Sequence, residues 1–292
     1  MIELTSASAR ATIATRGAEV HAWHAGGHDL LWSRDPAWWA KSSPVLFPIV
    51  GWARNGHILV DGKRRPMGVH GFAAAAEFAL EDQTPSTARL TLRDDEASYA
   101  IYPFCFRLTL TYALSDDRLT VGFEVENTGD RPMPYALGLH PAFRWPLAQT
   151  GREAHAIVFE TPESPDVPVI VPGGLFGENR RAIPIEGRRL ALTDTLFSKD
   201  ALCFLNARSQ SFTLEAAPDG PAVTLAATNF PHLALWSKPG APFVSMEVWT
   251  GHGDPEGFEG ELSDKPSMRL LAPGAVETCA VEWIYRAPLS AR

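Results

Sequence analysis

The sequence is poor in the features that mark several protein classes. Its three cysteines, Cys105, Cys203 and Cys279, are far apart and never spaced as CxxC. This pattern argues against a disulfide framework or a zinc knuckle, and we expect each thiol to be a small buried hydrophobic group in a reducing cytoplasm. No apolar run approaches the roughly 18 residues that cross a bilayer, and residues 1–17 do not resemble a signal peptide. We therefore expect a cytoplasmic protein with no membrane partner.

Positive charge is also scarce. Lys and Arg number 26 against 34 Asp and Glu, which gives a net charge of −8, and no segment is strongly basic. Nucleic-acid binders normally carry a basic patch because counterion release drives their affinity, so no nucleic-acid partner is expected. Long helix-compatible stretches are few, because 24 prolines are spread between Pro36 and Pro288. This distribution argues against a helical bundle.

Short strands are the dominant pattern that remains. Residues 104–114 and 119–127 each alternate apolar and polar side chains, and the polar segment SDDR at 115–118 joins them. Two runs of period 2 around a polar turn predict an antiparallel hairpin. Other short runs, bounded by turn-forming residues, predict further strands at 78–80, 88–92, 155–160, 201–205, 210–216, 222–228, 233–236, 243–249 and 276–285.

No convincing helical repeat follows any of these runs, so the sequence predicts an all-β fold, an antiparallel sandwich or barrel. The proline-rich stretch TPESPDVPVIVP at 161–172 could separate two domains, but the strand rhythm is the same on both sides of it. We interpret it as a long loop inside a single domain spanning 1–292.

Three motifs contain chemistry-bearing residues. His70 lies in VHGF, His140 follows an apolar run in LGLHPAF, and Glu247 lies among apolar residues in FVSMEVWTG. Glutamate is rarely buried unless paired, and an apolar setting disfavours its charged form, so Glu247 invites a functional interpretation. A histidine and a glutamate are the groups that a general acid–base pair needs. Taken singly, a packed histidine or a structural Glu–Arg pair is the alternative.

Two other motifs have simpler interpretations. HAWHAGGH at 21–28 lacks nearby Cys, Asp or Glu in a recognisable ligand pattern, so turn and surface histidines are favoured over a metal site. GHGDPEG at 251–257 has no strand–loop–helix context, which argues against a phosphate-binding loop.

The order of the motifs resembles the aldose 1-epimerase (mutarotase) family, particularly its less characterised bacterial branch. The matching segments include RGAEVHAW (16–23), SPVLFPIVG (43–51), HGF, GLHPAF, SKDALCFLNARS (198–209) and FPHLALWSKPGAPFVSMEVWTG (230–251). The resemblance implies a large antiparallel β-sandwich of the galactose mutarotase-like type. It also implies an isomerase that interconverts the α and β anomers of a small-molecule sugar.

The resemblance implies a role for each matching residue. His140 corresponds to the general acid toward the ring oxygen, and Glu247 to the general base toward the anomeric hydroxyl. His70 corresponds to a histidine that hydrogen-bonds the sugar near the reacting centre. Asp200 and Arg54 fall where family members contact the sugar. Proximity to Glu247 should keep His140 protonated near neutral pH, with the carboxylate setting the acidic limb of the pH profile and the imidazole the basic limb.

Two positions depart from the family pattern: Trp52 stands where related sequences often carry arginine or a small residue, and Ala74 stands where members with an HGFAR motif carry arginine. Trp236, like Trp52 and Trp249, could offer an aromatic face to a sugar, with core packing as the alternative for each. The reaction opens a hemiacetal ring by paired proton transfers, so it requires no metal, nucleotide or redox cofactor. We expect a monomer or a homodimer.

Two other function classes compete with this prediction. A non-catalytic carbohydrate-binding or sensor protein could use the same fold, but retention of both histidines and the glutamate argues against it. A glycoside hydrolase or polysaccharide lyase is the second alternative. A hydrolase normally needs two carboxylates that flank the scissile bond, whereas Glu247 is the one well-placed carboxylate in the sequence.

Overall fold

The structure is a computed structural model that describes residues 1–148 and 150–288. Its first thirteen strands are β1 Ile2–Thr5, β2 Arg10–Ile13, β3 Val20–Ala25, β4 His28–Asp29, β5 Val45–Leu46, β6 His57–Val60, β7 Lys63–Pro66, β8 Ala79–Gln83, β9 Thr87–Arg93, β10 Phe106–Leu114, β11 Arg118–Asn127, β12 Met133–Tyr135 and β13 Gly138–Leu139. The next thirteen are β14 Ala142–Arg144, β15 Ala156–Phe159, β16 Asp166–Val171, β17 Leu175–Ala182, β18 Ile185–Glu186, β19 Arg189–Ala191, β20 Leu202–Phe204, β21 Ser211–Glu215, β22 Ala222–Thr228, β23 His232–Trp236, β24 Phe243–Trp249, β25 Arg269–Leu271 and β26 Val276–Arg286.

Helical structure is limited to short segments in the described ranges. They are α1 Glu96–Ile101 and the 3₁₀ turns Arg54–Gly56, Ala73–Ala75, Arg152–Ala154 and Leu262–Asp264. Helix α1 begins with a capping box, because Asp95 accepts from the backbone N–H of Ser98 and the Ser98 side chain accepts from that of Asp95. Across residues 1–148 and 150–288 there is no helix with the length and hydrophobicity to span a bilayer.

A ten-stranded antiparallel sheet forms the largest layer, in the order β18-β19-β15-β21-β22-β26-β11-β10-β9-β8. Its centre contains the predicted hairpin, with Phe106 opposite Asn127 and Leu114 opposite Leu119. Along β11 every second side chain is buried, as the alternating sequence requires. The sequence-predicted hairpin is confirmed.

A six-stranded sheet in the order β20-β23-β24-β13-β5, with β14 also paired to β24, forms the layer that carries the candidate site. The four-stranded sheet β1-β2-β3-β4 completes the main architecture. Aromatic rings join the layers: Trp283 of β26 lies 5.5 Å from Phe143 of β14 and 5.9 Å from Trp23 of β3, between ring centroids. The fold class predicted from the sequence, an all-β antiparallel sandwich, is confirmed.

The strand positions predicted from short apolar runs are confirmed, and two of them, 222–228 and 243–249, match the observed bounds of β22 and β24. The interpretation of 161–172 as a long loop is wrong for its second half. Residues 166–171 form β16, which pairs with β17 across a Gly173–Gly174 turn. Prolines are tolerated there because this two-stranded ribbon is separate from the larger sheets. Cys203 and Cys279 are buried as expected, but Cys105 is only partly buried.

Candidate active site

A cavity of about 540 Å³ lies against the six-stranded sheet. Its lining contains five of the six predicted site residues, which are His70, His140, Asp200, Trp236 and Glu247. These residues lie far apart in the sequence, from His70 in the HGF loop to Glu247 on β24, and the fold brings them together. A concave site with convergent polar groups is the usual form of a small-molecule pocket.

Glu247 and His140 are brought together by the way two short strands pair with β24. Strand β13 ends at Leu139, opposite Val248, and β14 begins at Ala142, opposite Ser245. Residues 140–141 fill the gap between these pairings, which places His140 beside Glu247. The His140 Nε2 atom lies 3.1 Å from Glu247 Oε1.

Hydrogen bonds fix the tautomer of His140. The Ser245 Oγ atom lies 2.7 Å from His140 Nδ1 and 3.0 Å from the carbonyl oxygen of Pro141. A carbonyl only accepts, so the single hydroxyl hydrogen is donated to Pro141 and Nδ1 donates its own hydrogen to Ser245. The other ring nitrogen, Nε2, is therefore the one that exchanges a proton with Glu247.

Burial controls the charge of this pair. Glu247 is 2% exposed and His140 is 7% exposed. Desolvation raises the pKa of Glu247 to about 8, although the Trp249 indole N–H, 3.0 Å from Oε2, stabilises the carboxylate and offsets part of the effect. Burial also lowers the pKa of His140 well below its ordinary value, and the nearby His70 lowers it further. This direction runs against the expectation that Glu247 keeps His140 protonated near neutral pH, because desolvation disfavours the imidazolium.

His70 packs edge to face with His140 in the cavity wall, with ring centroids 5.7 Å apart and nearly perpendicular planes. Its Nδ1 accepts the backbone N–H of Gly51 at 3.1 Å, which leaves the hydrogen of the neutral ring on Nε2. Desolvation lowers the pKa of His70 to about 4, so this ring is a neutral donor. The following Gly71 is required by packing, since a Cβ there would lie 2.2 Å from the Phe47 carbonyl oxygen.

Asp200 lies on an exposed turn at the cavity edge, just before β20. The guanidinium of Arg181 on β17 donates to the carbonyl oxygens of Lys199 and Asp200, at 3.1 and 3.2 Å. The β16–β17 ribbon therefore holds the Asp200 turn in place. The Asp200 charge also contributes to the raised pKa of Glu247.

Aromatic side chains form much of the cavity wall. Trp236 and Trp39 both pack on His140, with ring centroids 5.8 and 4.8 Å away. Trp52 also lines the cavity and is 46% exposed. Ala74 lines it as well, so both positions that depart from the family pattern belong to the cavity.

Arg54 is the predicted site residue that the structure does not bring to this cavity. Its guanidinium pairs with Glu259 at 2.6 Å and lines a different cavity, of about 400 Å³. Its backbone N–H donates to Asp254, which forms a buried ion pair with Lys265 at 2.9 Å. Arg54 is thus close in sequence to Gly51 and Trp52, which line the main cavity, but its own side chain points into the second cavity.

Sequence reasoning missed several residues of the site. Lys41 and Lys238, which line the cavity, are ordinary residues in the sequence, and no local pattern distinguishes them. Ser245 could have been found by its period-2 spacing from Glu247 on a predicted strand, which places both side chains on one face. HAWHAGGH forms the β3–β4 hairpin, and no group of three or more metal-ligating side chains occurs in residues 1–148 and 150–288.

Comparisons with known proteins agree with this architecture. The model of the family described as aldose 1-epimerase matches residues 1–263. Protein LacX of Lactococcus lactis is 31% identical over 257 residues, covering 85% of this chain and 86% of the relative. The chain is thus similar to LacX over most of both proteins.

Solved structures give the same result. A galactose mutarotase related enzyme from Lactobacillus acidophilus has a TM-score of 0.90 at 26% identity, covering 99% of this chain and 98% of the other. A galactose mutarotase-like protein from Lactobacillus casei has a TM-score of 0.90 at 28% identity, covering 98% and 100%. By sequence and by structure, this chain belongs to the aldose 1-epimerase family.

Proposed function

We propose that the protein is an aldose 1-epimerase in which His140 and Glu247 transfer the protons. The observation that supports this proposal is the 3.1 Å contact between His140 Nε2 and Glu247 Oε1 in the cavity. The arrangement supplies one acid and one base at adjacent points, which ring opening of a hemiacetal requires.

Each proton and bond in the proposed reaction is accounted for. Glu247, as the carboxylate, accepts the proton of the C1 hydroxyl while His140 donates the Nε2 proton to the ring oxygen. The bond between C1 and the ring oxygen breaks, and C1 becomes a free aldehyde. Rotation about the C1–C2 bond then presents the other face of C1. Reclosure reverses both transfers and restores the pair. Paired transfers of this kind contribute about 10²–10⁴-fold in rate.

The other cavity residues take supporting roles in this proposal. His70 donates its Nε2–H to a sugar oxygen near the reacting centre. Asp200 accepts hydrogen bonds from sugar hydroxyls at the edge of the cavity. Trp236 offers an aromatic face to the sugar C–H groups. Arg54 has no part, because its guanidinium is paired with Glu259 outside the cavity.

Polarimetry of freshly dissolved α-glucose and α-galactose tests the proposal. The protein should accelerate the approach to the anomeric equilibrium, and Glu247→Gln should abolish the acceleration because an amide is similar in shape but cannot accept the proton. Glu163→Gln is the matched control, since Glu163 is another buried glutamate that accepts backbone N–H groups outside the cavity. Activity of Glu247→Gln within tenfold of the parent would remove Glu247 from the mechanism. Sugar binding without turnover by the parent would indicate a carbohydrate-binding protein instead.

A further inference from the structure

Three side chains of β24 lie on the same side of the strand and surround the proposed catalytic pair. Ser245, Glu247 and Trp249 are spaced by two residues, so they share one face. Ser245 contacts His140 Nδ1, and Glu247 contacts His140 Nε2. The indole N–H of Trp249 donates to Glu247 Oε2 at 3.0 Å. The pair is thus hydrogen-bonded at its imidazole end by Ser245 and at its carboxyl end by Trp249.

The indole N–H distinguishes the two oxygens of Glu247. An indole N–H only donates, so Oε2 is its acceptor and Oε1 is the oxygen that faces His140. The terminal torsion of a glutamate side chain is broad and roughly two-fold, so a carboxyl group without a partner on Oε2 turns easily. Among the described residues, Trp249 is the donor that holds Oε2.

Packing fixes the indole ring itself. Trp249 lies opposite Gly138 on β13 and His232 on β23. A Cβ on Gly138 would lie 3.0 Å from Trp249 Cδ1 and 2.9 Å from Leu46 Cδ1, which is tighter than ordinary van der Waals contact. The glycine of GLHPAF therefore leaves the space in which the ring lies against β13.

Burial separates Trp249 from the tryptophans that are open to the cavity. Trp249 is 5% exposed, whereas Trp52 is 46% exposed. The ring of Trp249 therefore offers little area to a sugar. Its N–H, rather than its face, is the part that acts on the site.

The same hydrogen bond opposes the effect of burial on the charge of Glu247. Desolvation raises the pKa of Glu247 and the charge of Asp200 raises it further, whereas the hydrogen bond from Trp249 lowers it. Among the described residues, His140 is the titratable group in contact with this carboxyl group, through Oε1. The titratable side chains that line the cavity around Glu247 are Lys41, His70, His140, Asp200, Cys203 and Lys238.

We propose that Trp249 is a positioning residue for anomerisation, whose indole N–H holds Glu247 Oε2 so that Oε1 stays directed at His140 and at the C1 hydroxyl of the sugar. This inference rests on the proposed function for the role of Glu247. A hydrogen bond to a carboxylate is stronger than one to a neutral carboxyl group, so Trp249 also favours the form of Glu247 that accepts a proton. Trp249 acts through Glu247 and exchanges no proton.

The test replaces the indole of Trp249 by rings that lack the N–H. Trp249→Phe removes the donor, and the tryptophan analogue benzothienylalanine at position 249, with sulfur in place of the N–H, removes it in a ring of similar size. Either change should lower kcat by about tenfold or more, as expected for a hydrogen bond to a charged group, with little change in KM.

The pH dependence supplies a readout that a purely structural role would not move. On the alkaline side, kcat/KM falls when the proton shared by His140 and Glu247 is lost. Both changes at Trp249 should raise the pH of this fall by about one unit, because the carboxylate loses a donor that lowers the pKa of Glu247.

Trp52→Phe is the matched control. Trp52 lines the same cavity, but among the described residues the side-chain hydrogen bond that lowers the pKa of Glu247 comes from Trp249. Trp52→Phe should therefore raise KM and leave the alkaline fall at the pH of the parent. If the changes at Trp249 raised KM and left kcat and the alkaline fall unchanged, Trp249 would be a sugar contact and the inference would be overturned.

Infrared titration of the Glu247 carboxyl band separates this inference from the proposed function, because it requires no turnover. The band is identified by its loss in Glu247→Gln. Its apparent pKa should be about one unit higher in both variants at position 249 than in the parent, and unchanged in Trp52→Phe. If the parent turns over no sugar, the proposed function fails, and this titration decides whether the indole N–H acts on Glu247. An unchanged apparent pKa in both variants overturns the role of Trp249.

Discussion

The Nδ1 atom of His140 donates its hydrogen to Ser245 at 2.7 Å, and this bond fixes one of the protons held by the His140–Glu247 pair. With Nδ1–H fixed, a hydrogen bond between His140 Nε2 and Glu247 Oε1, which lie 3.1 Å apart, requires one further proton. Burial raises the pKa of Glu247 and lowers that of His140, which favours the neutral form of both groups in the free protein. The proposed reactive form, an imidazolium beside a carboxylate, has the same number of protons. Transfer of one proton from Glu247 to His140 is thus sufficient to produce the proposed reactive form.

This proton count predicts a bell-shaped dependence of kcat/KM on pH. The acidic limb arises when the pair gains a second proton, and it lies low because burial depresses the pKa of His140. The basic limb arises when the shared proton is lost, near the pKa of about 8 of Glu247. This order reverses the assignment expected from the sequence, although both limbs describe the coupled pair.

Variants of His140 and His70 distinguish the roles of the two histidines in the pH dependence of kcat/KM. His140→Asn should remove most of the rate together with the bell, because asparagine donates a hydrogen bond but no proton. His70→Asn should lower the maximum and keep the basic limb, since His70 positions the sugar as a neutral donor. If His70→Asn erased the basic limb and His140→Asn preserved it, the roles of the two histidines would be exchanged.

The contrast between Glu247 and Ser245 explains what the sequence could reveal. Glu247 was recognisable because a charged residue in FVSMEVWTG conflicts with its apolar neighbours. The spacing of Ser245 from Glu247 indicates only that both side chains share one face of the strand, because its contact with His140 depends on the register that places it opposite Ala142. The alternation at 106–127 revealed its hairpin since that signal is local. The β16–β17 ribbon gave no such alternation, because prolines interrupt its sequence. The charges of His140 and Glu247 depend on their burial, which only the tertiary structure supplies.

Ser245→Ala should lower kcat by about tenfold or more with little change in KM. The substitution removes the acceptor that holds the His140 ring, so the ring can rotate and either nitrogen can carry the hydrogen. Ser237→Ala is the control, because Ser237 is equally buried but bonds the Phe243 carbonyl rather than a histidine. Steady-state kinetics of both variants check the prediction. Equal losses of kcat in the two variants would assign Ser245 a merely structural role.

The stability of the protein should depend on pH through Glu247. Its pKa is about 8 in the folded protein against an ordinary value of 4.5, so the folded state binds more protons between these values. The free energy of unfolding contributed by this group therefore falls as pH rises from about 5 to 8, by at most ~5 kcal/mol at 1.36 kcal/mol per pKa unit. Glu247→Gln should remove this loss, so that its stability relative to the parent increases with pH.

Urea unfolding at pH 5, 6, 7 and 8 measures this difference. Ser237→Ala serves as a control, since it removes no titratable group and its stability relative to the parent should stay constant with pH. The depressed pKa of His140 acts in the opposite direction and costs stability as pH falls below its ordinary value of 6.5. A constant difference between Glu247→Gln and the parent would show that the buried carboxyl group is not held protonated.

Gly174 and Gly173 offer a matched pair of substitutions for the wall of the cavity. Both glycines have positive φ, +72° and +89°, so alanine is strained at either position. A Cβ on Gly174 would lie 1.9 Å from Trp52 Cδ1, whereas a Cβ on Gly173 would make an ordinary contact of 3.8 Å with Leu175. Gly174→Ala must therefore displace Trp52 or the β16–β17 ribbon in addition to the backbone strain.

We expect the two variants to lose similar stability from strain, about 1–3 kcal/mol, and to differ in catalysis. Gly174→Ala should raise KM several-fold, because Trp52 lines the cavity in which the sugar is proposed to bind. The effect on kcat should be smaller, because Glu247 lies on β24 and His140 lies between two strands that pair with it. Gly173→Ala should leave KM near that of the parent. Steady-state kinetics, with thermal unfolding to compare stabilities, measure both effects. An equal KM in the two variants would show that Trp52 does not contact the substrate.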